Sequence, residues 1–220
     1  MTTIPIRPFA AAKLLTFAAL ALGGCHISGI RGNGHITTEP RPVQEFTSVE
    51  AEGAFDIEWV SGPASCTIRT DENLLSHVET AMSGSKLELR WHGQLRPTHG
   101  MKVRLSSSKL TSTRLTGAVR LSATRIEGKA FYIDGTGATR VTVDGTVDDL
   151  MATMAGASKL MAESLQVKNA ELSISGAGKA EVSVSDSLKV AIAGAGKVTY
   201  RGNPRVERQI SGAGSVRQRD

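Results

Sequence analysis

Cysteine occurs only twice in the 220 residues, too few for a disulfide scaffold or a four-cysteine zinc site. Aromatic residues are scarce as well, five Phe, two Trp and two Tyr, which argues against a platform that stacks nucleic-acid bases. The apolar run at residues 14–22 is about half the ~20 residues that a membrane-spanning helix needs. Charge of neither sign dominates, with 26 Lys+Arg against 21 Asp+Glu and a formal balance of +5. What is present is hydrophobic residues at 40%, too many for a disordered chain, and 23 glycines, more than an average composition supplies. The length allows one domain or at most two. A chain rich in glycine and poor in large side chains has to build its core from small and medium residues many times over, which predicts repetition.

The first residues read as an address. Arg7 and Lys13 precede the uncharged run Leu14-Leu15-Thr16-Phe17-Ala18-Ala19-Leu20-Ala21-Leu22, which ends at Gly23-Gly24-Cys25. A basic start, a short apolar stretch and small residues before a cut make a secretory signal peptide over residues 1–24. Leu22-Gly23-Gly24-Cys25 resembles the bacterial lipobox, which implies lipidation of Cys25 and a membrane partner reached through that anchor. His26 follows in place of the Asp that retains lipoproteins in the inner membrane, so the resemblance favours the outer membrane. Residues 1–24 carry two basic and no acidic groups, so cleavage lowers the charge from +5 to +3. Cys66 then has no partner, and its place in Cys66-Thr67-Ile68-Arg69 predicts a buried thiol.

Residues 25–44 are polar and read as a tether to a single domain over 45–220. Phe55-Asp56-Ile57-Glu58-Trp59, Leu87-Glu88-Leu89-Arg90-Trp91 and Met101-Lys102-Val103-Arg104-Leu105 alternate with a period of two, the mark of half-buried strands. Weak helical spacing over residues 72–79 predicts one short helical turn, and residues 45–114 as a whole read as irregular strands. From residue 115 to 216 the texture is periodic. An apolar residue, any residue, then Gly and small residues recur with leading glycines at 117, 135, 156, 176, 194 and 212, so the successive differences are 18, 21, 20, 18 and 18. A period near 20 with short strands predicts a β-solenoid. Within one period, Ala180-Glu181-Val182-Ser183-Val184 and Leu188-Lys189-Val190-Ala191-Ile192 are two alternating strands separated by turns, so each coil adds a strand to each of two sheets. Gly117, Gly135, Gly137, Gly156, Gly176, Gly178, Gly194, Gly196, Gly212 and Gly214 are read as the glycines of the corners, where a missing Cβ lets coils approach.

These features, with Gly32-Asn33-Gly34, Arg41-Pro42-Val43-Gln44-Glu45-Phe46, Gly53-Ala54-Phe55-Asp56-Ile57, Asp71-Glu72-Asn73-Leu74 and Lys86-Leu87-Glu88-Leu89, resemble the bacterial auto-transporter adhesin head, or GIN, domain family. The resemblance covers nearly the whole chain after the signal. It implies an all-β, right-handed parallel β-helix that carries no catalytic set and serves adhesion from an exported lipoprotein. The chain departs from the family pattern at Leu115–Leu121, where the corner reads Gly-Ala-Val, and at Gly156-Ala157-Ser158, which lacks the second glycine.

Candidate chemistry is thin. Gly178-Lys179 and Gly196-Lys197 lack the upstream Gly and the following Ser or Thr of a phosphate loop. His92 and His99 share a loop without a third ligand, and Asp134, Asp144, Asp148 and Asp149 read more simply as turn residues than as the acidic cluster of a lyase. No enzyme activity, cofactor, metal or nucleic-acid partner is therefore expected; the alternatives are a carbohydrate-active, lyase-like β-helix enzyme and a periplasmic structural or sensory module. Lys159, Lys179 and Lys197 each follow the leading glycine of their coil by three residues. Stacking in register would align them as a basic strip, which either faces an acidic glycan or envelope partner or keeps a flat β surface soluble. The C-terminal charges Arg217, Arg219 and Asp220 suit either a blocked strand edge or an oligomer contact.

Overall fold

The computed structural model describes residues 29–219, so Cys25 and the signal segment lie outside it. The alternating apolar residues of this stretch become strands almost without interruption. The first part holds β1 (Ile30–Arg31), β2 (Ile36–Arg41), β3 (Ser48–Gly53), β4 (Asp56–Ser61) and β5 (Ser65–Asp71). A 3-10 turn at Glu72–His77 follows, where the helical turn was expected. Next come β6 (Val78–Ser83), β7 (Lys86–Trp91), β8 (Leu95–Arg96), β9 (Lys102–Ser107) and β10 (Ser112–Gly117). The coils proper are β11 (Arg120–Gly137), β12 (Arg140–Gly156), β13 (Lys159–Gly176) and β14 (Lys179–Gly194), each one whole turn of chain. β15 (Lys197–Arg201), β16 (Arg205–Ser211) and β17 (Ser215–Gln218) complete the stack. Parallel pairing of each coil with the next makes a β-solenoid of about 5 turns.

Each coil has two limbs, for example Arg120–Ala123 and Ala130–Gly137 of β11, paired to Arg140–Val143 and Asp149–Gly156 of β12. The short segment between the limbs also pairs, and the register shifts there, between Ala123 and Ile126 in β11 and between Thr142 and Asp144 in β12. Coils of unequal length can stack because the slack is taken up at this bend. Arg125 turns it with φ 57°, and its N–H donates to Asp144 Oδ1 of the next coil at 2.7 Å. Gly145 passes so close to the Ile126 backbone that a Cβ there would overlap the Ile126 oxygen.

The opposite corner is where the periodicity originates. Gly53, Gly117, Gly137, Gly156, Gly176, Gly194 and Gly212 stand over one another with φ between 87° and 140°, a region that L side chains avoid. The spacing from Gly117 onward is therefore 20, 19, 20, 18 and 18. Gly135 is not a corner residue: it pairs with Leu115 and Met154 in a column that reads Ala51, Leu115, Gly135, Met154, Ile174, Ile192, Ile210 and is buried except for Ile210, which is exposed at the end of the stack. Two residues after each corner glycine a second column reads Phe55, Val119, Thr139, Ser158, Gly178, Gly196, Gly214. The two columns trade volume. A Cβ on Gly178 would lie 2.9 Å from Ile174 Cγ2, and one on Gly196 would lie 2.8 Å from the same atom. Thr139 instead fills the space left by Gly135, with Oγ1 2.6 Å from where a Gly135 Cβ would be. The corners with Val119 and Ser158 are thus size-matched to their neighbours, not departures from the coil.

Residues 45–114 belong to the same stack. β3 pairs in parallel with β10, 64 residues away, and with β7 on its other side. β4 lies between β11 and β9. From β3 and β4 in the second coil the chain therefore leaves to build the end coil from β7 and β9, and returns at β10. Antiparallel β6 on β7, and β5 on β9, close that end. The large side chains collect there: Phe46, Phe55 and Trp59 are buried, Trp59 Nε1–H donates to Ser107 Oγ at 2.9 Å, and the Phe55 and Trp91 rings are 5.9 Å apart.

The segment read as a tether is held to the domain from Gly29 on. β1 pairs with β8, and β2 pairs antiparallel with β5. Asp71 fastens it: its carboxylate accepts the Gly34 N–H, the Thr98 N–H and the Thr98 hydroxyl, each at 2.8 Å. Asn73 Nδ2 donates to the Arg31 carbonyl while its Oδ1 accepts the Asn33 N–H, both at 2.9 Å. Gly32-Asn33-Gly34 and Asp71-Glu72-Asn73 are thus two halves of one clasp. The clasp needs polar residues because it is made of hydrogen bonds.

Candidate functional site

Three residues past each corner glycine the chain turns outward, and in-register stacking makes a column of those side chains. It runs Asp56, Arg120, Arg140, Lys159, Lys179, Lys197 and Ser215, with Lys102 beyond Asp56. Five consecutive rungs are cationic, at the ~4.8 Å spacing of neighbouring strands. Arg120, Arg140, Lys179 and Lys197 are exposed, and Lys159 is half-buried with its Nζ 3.9 Å from Glu181 Oε1. Among the described residues the other four make no ion pair. One flanking column is short, Ala118, Ala138, Ala157, Ala177, Ala195 and Ala213, and the other is mixed, Ser122, Thr142, Met161, Glu181, Thr199 and Arg217. The cations therefore stand above a low floor on the alanine side.

Lys159, Lys179 and Lys197 were visible in the sequence, whereas Arg120 and Arg140 were not included. Their signal was present, since Gly117 and Gly137 precede them by three residues. Reading Gly135 as the leading glycine of its coil hides Arg140, whereas Arg120 follows the leading glycine Gly117 and differs from the lysines only in residue type. At the C-terminal end the column opens onto a shallow groove lined by Lys179, Glu181, Lys197, Thr199, Arg217 and Arg219. Residues 197–219 carry six cations and one anion, a local balance of +5 equal to that of the whole chain.

Asp134, Asp144, Asp148 and Asp149 do not form one cluster, and where carboxylates do gather, Glu50 with Glu88 and Asp148 with Asp149 and Asp186, they surround a lysine, Lys86 or Lys168. Asp134 is 3.3 Å from Arg114, and Asp148 is 2.7 Å from Lys168. Asp149 accepts from Asn169 at 3.0 Å, and Asp144 holds the Arg125 N–H. Each carboxylate is occupied by a neighbour on an adjacent coil, which is a stacking role. His92 contacts Glu79 at 2.8 Å and His99 contacts Thr98 at 3.0 Å, and no group of three metal-ligating side chains occurs among the described residues. Cys66 is buried at 2% exposure, and burial pushes its thiol up to about 11 against a smaller opposing pull from Arg41. A thiol that stays protonated is a core residue, not a nucleophile.

A parallel solenoid whose charged groups stand on its outer corner is a scaffold for a surface. The family model described as "Putative auto-transporter adhesin, head GIN domain" matches residues 45–204, and the chain belongs to that family. A solved structure described as a "putative adhesin" from Bacteroides fragilis is 19% identical, with a TM-score of 0.71 over 86% of this chain and 100% of that one. Another, described as a "putative lipid binding protein" from Parabacteroides distasonis, is also 19% identical, with a TM-score of 0.56 over 88% of this chain and 100% of that one. At such identities the likeness is one of fold. Among curated proteins, none matches the sequence.

Proposed function

We propose that this protein is an exported, lipid-anchored head of the cell envelope that works by contact rather than catalysis. The observation that carries this reading is the cation column on the outer corner, where Lys159 meets Glu181 and the other four rungs make no ion pair among the described residues, set beside aspartates that are separately tied up in stacking. Adhesin membership supports the envelope location, and the lipobox-like Leu22-Gly23-Gly24-Cys25 supports the anchor in the outer membrane. The clasp adds a geometric consequence. The chain is docked from Gly29, four residues after Cys25, so at most about 14 Å of extended chain separates anchor and domain. The end built from β7, β9 and their antiparallel neighbours then sits at the bilayer, and the column rises away from it.

Two measurements on intact cells test the proposal. Palmitate incorporation should be lost in Cys25→Ala, and protease shaving should remove the domain. Unchanged lipid labelling would refute the anchor. A fully protected domain would refute surface contact and favour a module facing other periplasmic proteins.

A further inference from the structure

We propose that the five-rung column Arg120, Arg140, Lys159, Lys179 and Lys197 binds a linear acidic polysaccharide lying along the solenoid axis, one charged sugar per coil. The inference rests on the contact reading above, and it names the ligand class. The column is straight because pairing is in register across all five rungs. It spans about 19 Å from first to last rung at the ~4.8 Å strand spacing. That spacing is close to the advance of one sugar ring along an extended chain, so the carboxylates of the chain and the cations of the column share nearly the same axial period. Guanidinium groups at Arg120 and Arg140 suit bidentate pairing with carboxylates.

The flanking residues narrow the class. The next column holds the hydroxyls of Ser122, Thr142 and Thr199, within reach of sugar hydroxyls, together with Met161, Arg217 and Glu181, whose carboxylate is turned to Lys159. Neither flanking column contains an aromatic residue on which a nucleic-acid base could stack. The alanine column on the other side leaves room for a ring to lie flat. The groove at Lys197, Arg217 and Arg219 continues the path beyond the last rung. Five like charges in a row, of which only Lys159 has an ion-pair partner, destabilise a sheet, and alternating signs would serve solubility without that cost.

The test uses the purified protein and a size series of linear polyuronate oligomers, with binding followed by calorimetry. Affinity should rise with each added charged sugar up to about five and then level off, as each contact releases counterions. With five contacts it should fall roughly 100-fold between 50 and 200 mM salt. The variant Arg120→Gln/Arg140→Gln/Lys159→Gln/Lys179→Gln/Lys197→Gln should lose binding at least about tenfold. A charge-matched control, Arg69→Gln/Lys129→Gln/Lys189→Gln/Arg205→Gln/Arg208→Gln, should lose no more than about threefold. Equal losses in the two variants would mean bulk charge and overturn the column. Affinity independent of oligomer length, or polyphosphate or single-stranded DNA bound as tightly as polyuronate at equal charge, would overturn the sugar assignment. Because binding is read in solution, failure of lipid labelling or of protease shaving would leave this inference standing, and its failure would leave the anchor standing.

Discussion

Replacing Gly156 with Ala tests how the coils are stacked. Gly156 occupies the corner with φ 87°, and an added Cβ would lie 2.6 Å from the Gly137 carbonyl oxygen of the preceding coil. That oxygen accepts the Ala157 N–H at 2.9 Å, so the coil cannot shift away without lengthening a ladder bond. Two costs add. The left-handed backbone costs an L residue about 1–2 kcal/mol. Forcing a methyl into a filled space costs typically 1–3 kcal/mol. Restricting the unfolded chain returns about 0.4–1 kcal/mol. The net loss is about 2–4 kcal/mol. Gly84 provides the control: its φ is 60° and nothing lies within 4 Å of an added Cβ, so Gly84→Ala carries the backbone cost alone, about 1 kcal/mol. Urea unfolding followed by far-ultraviolet circular dichroism measures both, and the midpoint should drop further in Gly156→Ala at an unchanged slope. Equal losses in the two variants would show that the coils are not packed as closely as their carbonyl contacts require.

Three further outcomes follow from the same geometry. Cys66 should resist alkylation in the folded protein at pH 8. Its folded value lies above the unfolded one, so the contribution is intact below about pH 9 and lost as pH rises toward about 11, a loss of up to roughly 2–3 kcal/mol that Cys66→Ala should abolish. At Asp71, burial alone would raise the carboxyl, but the hydrogen bonds from Thr98 and Gly34 outweigh it and hold the carboxyl below the usual range. The clasp should therefore be intact above the ordinary aspartate range and loosen as pH falls through the lowered folded value. Asp71→Asn should remove this dependence and speed hydrogen exchange at Gly34 and Thr98; slow exchange in the variant would refute the clasp. Lys179→Gln should raise stability by about 0.5 kcal/mol at low salt and have no effect near 1 M salt, because it relieves repulsion from Lys159 and Lys197. A destabilised variant would mean that the lysines are not aligned.

The repeating period, the all-β class and the small-residue core were legible along the chain because each is a local matter. A corner that needs positive φ selects glycine, and alternating burial selects alternating apolar residues, so both leave marks within a few positions. The buried Cys66 and the turn at residues 72–77 were legible for the same reason. Registration between coils was not. Gly135 and Gly137 both look like corner glycines in Gly135-Thr136-Gly137, and only the pairing of Gly137 with Gly117 and Gly156 separates them. That two-residue ambiguity hid Arg140 from the cation column and made Gly135 seem a corner when it makes room for Thr139.

Residues 45–114 seemed irregular because their partners are remote. β3 stacks on β10 across 64 residues, with β7 on its other face, and no local pattern records that order. The clasp that turns residues 29–34 into part of the domain is a set of hydrogen bonds across about forty residues, from Gly34 to Asp71 and from Arg31 to Asn73. The amino-acid sequence by itself therefore determined what each coil is made of. The tertiary structure decided which coil lies on which, and with that which side chains stand in one column, because alignment between coils depends on how much chain each bend absorbs and not on the residues of the column themselves.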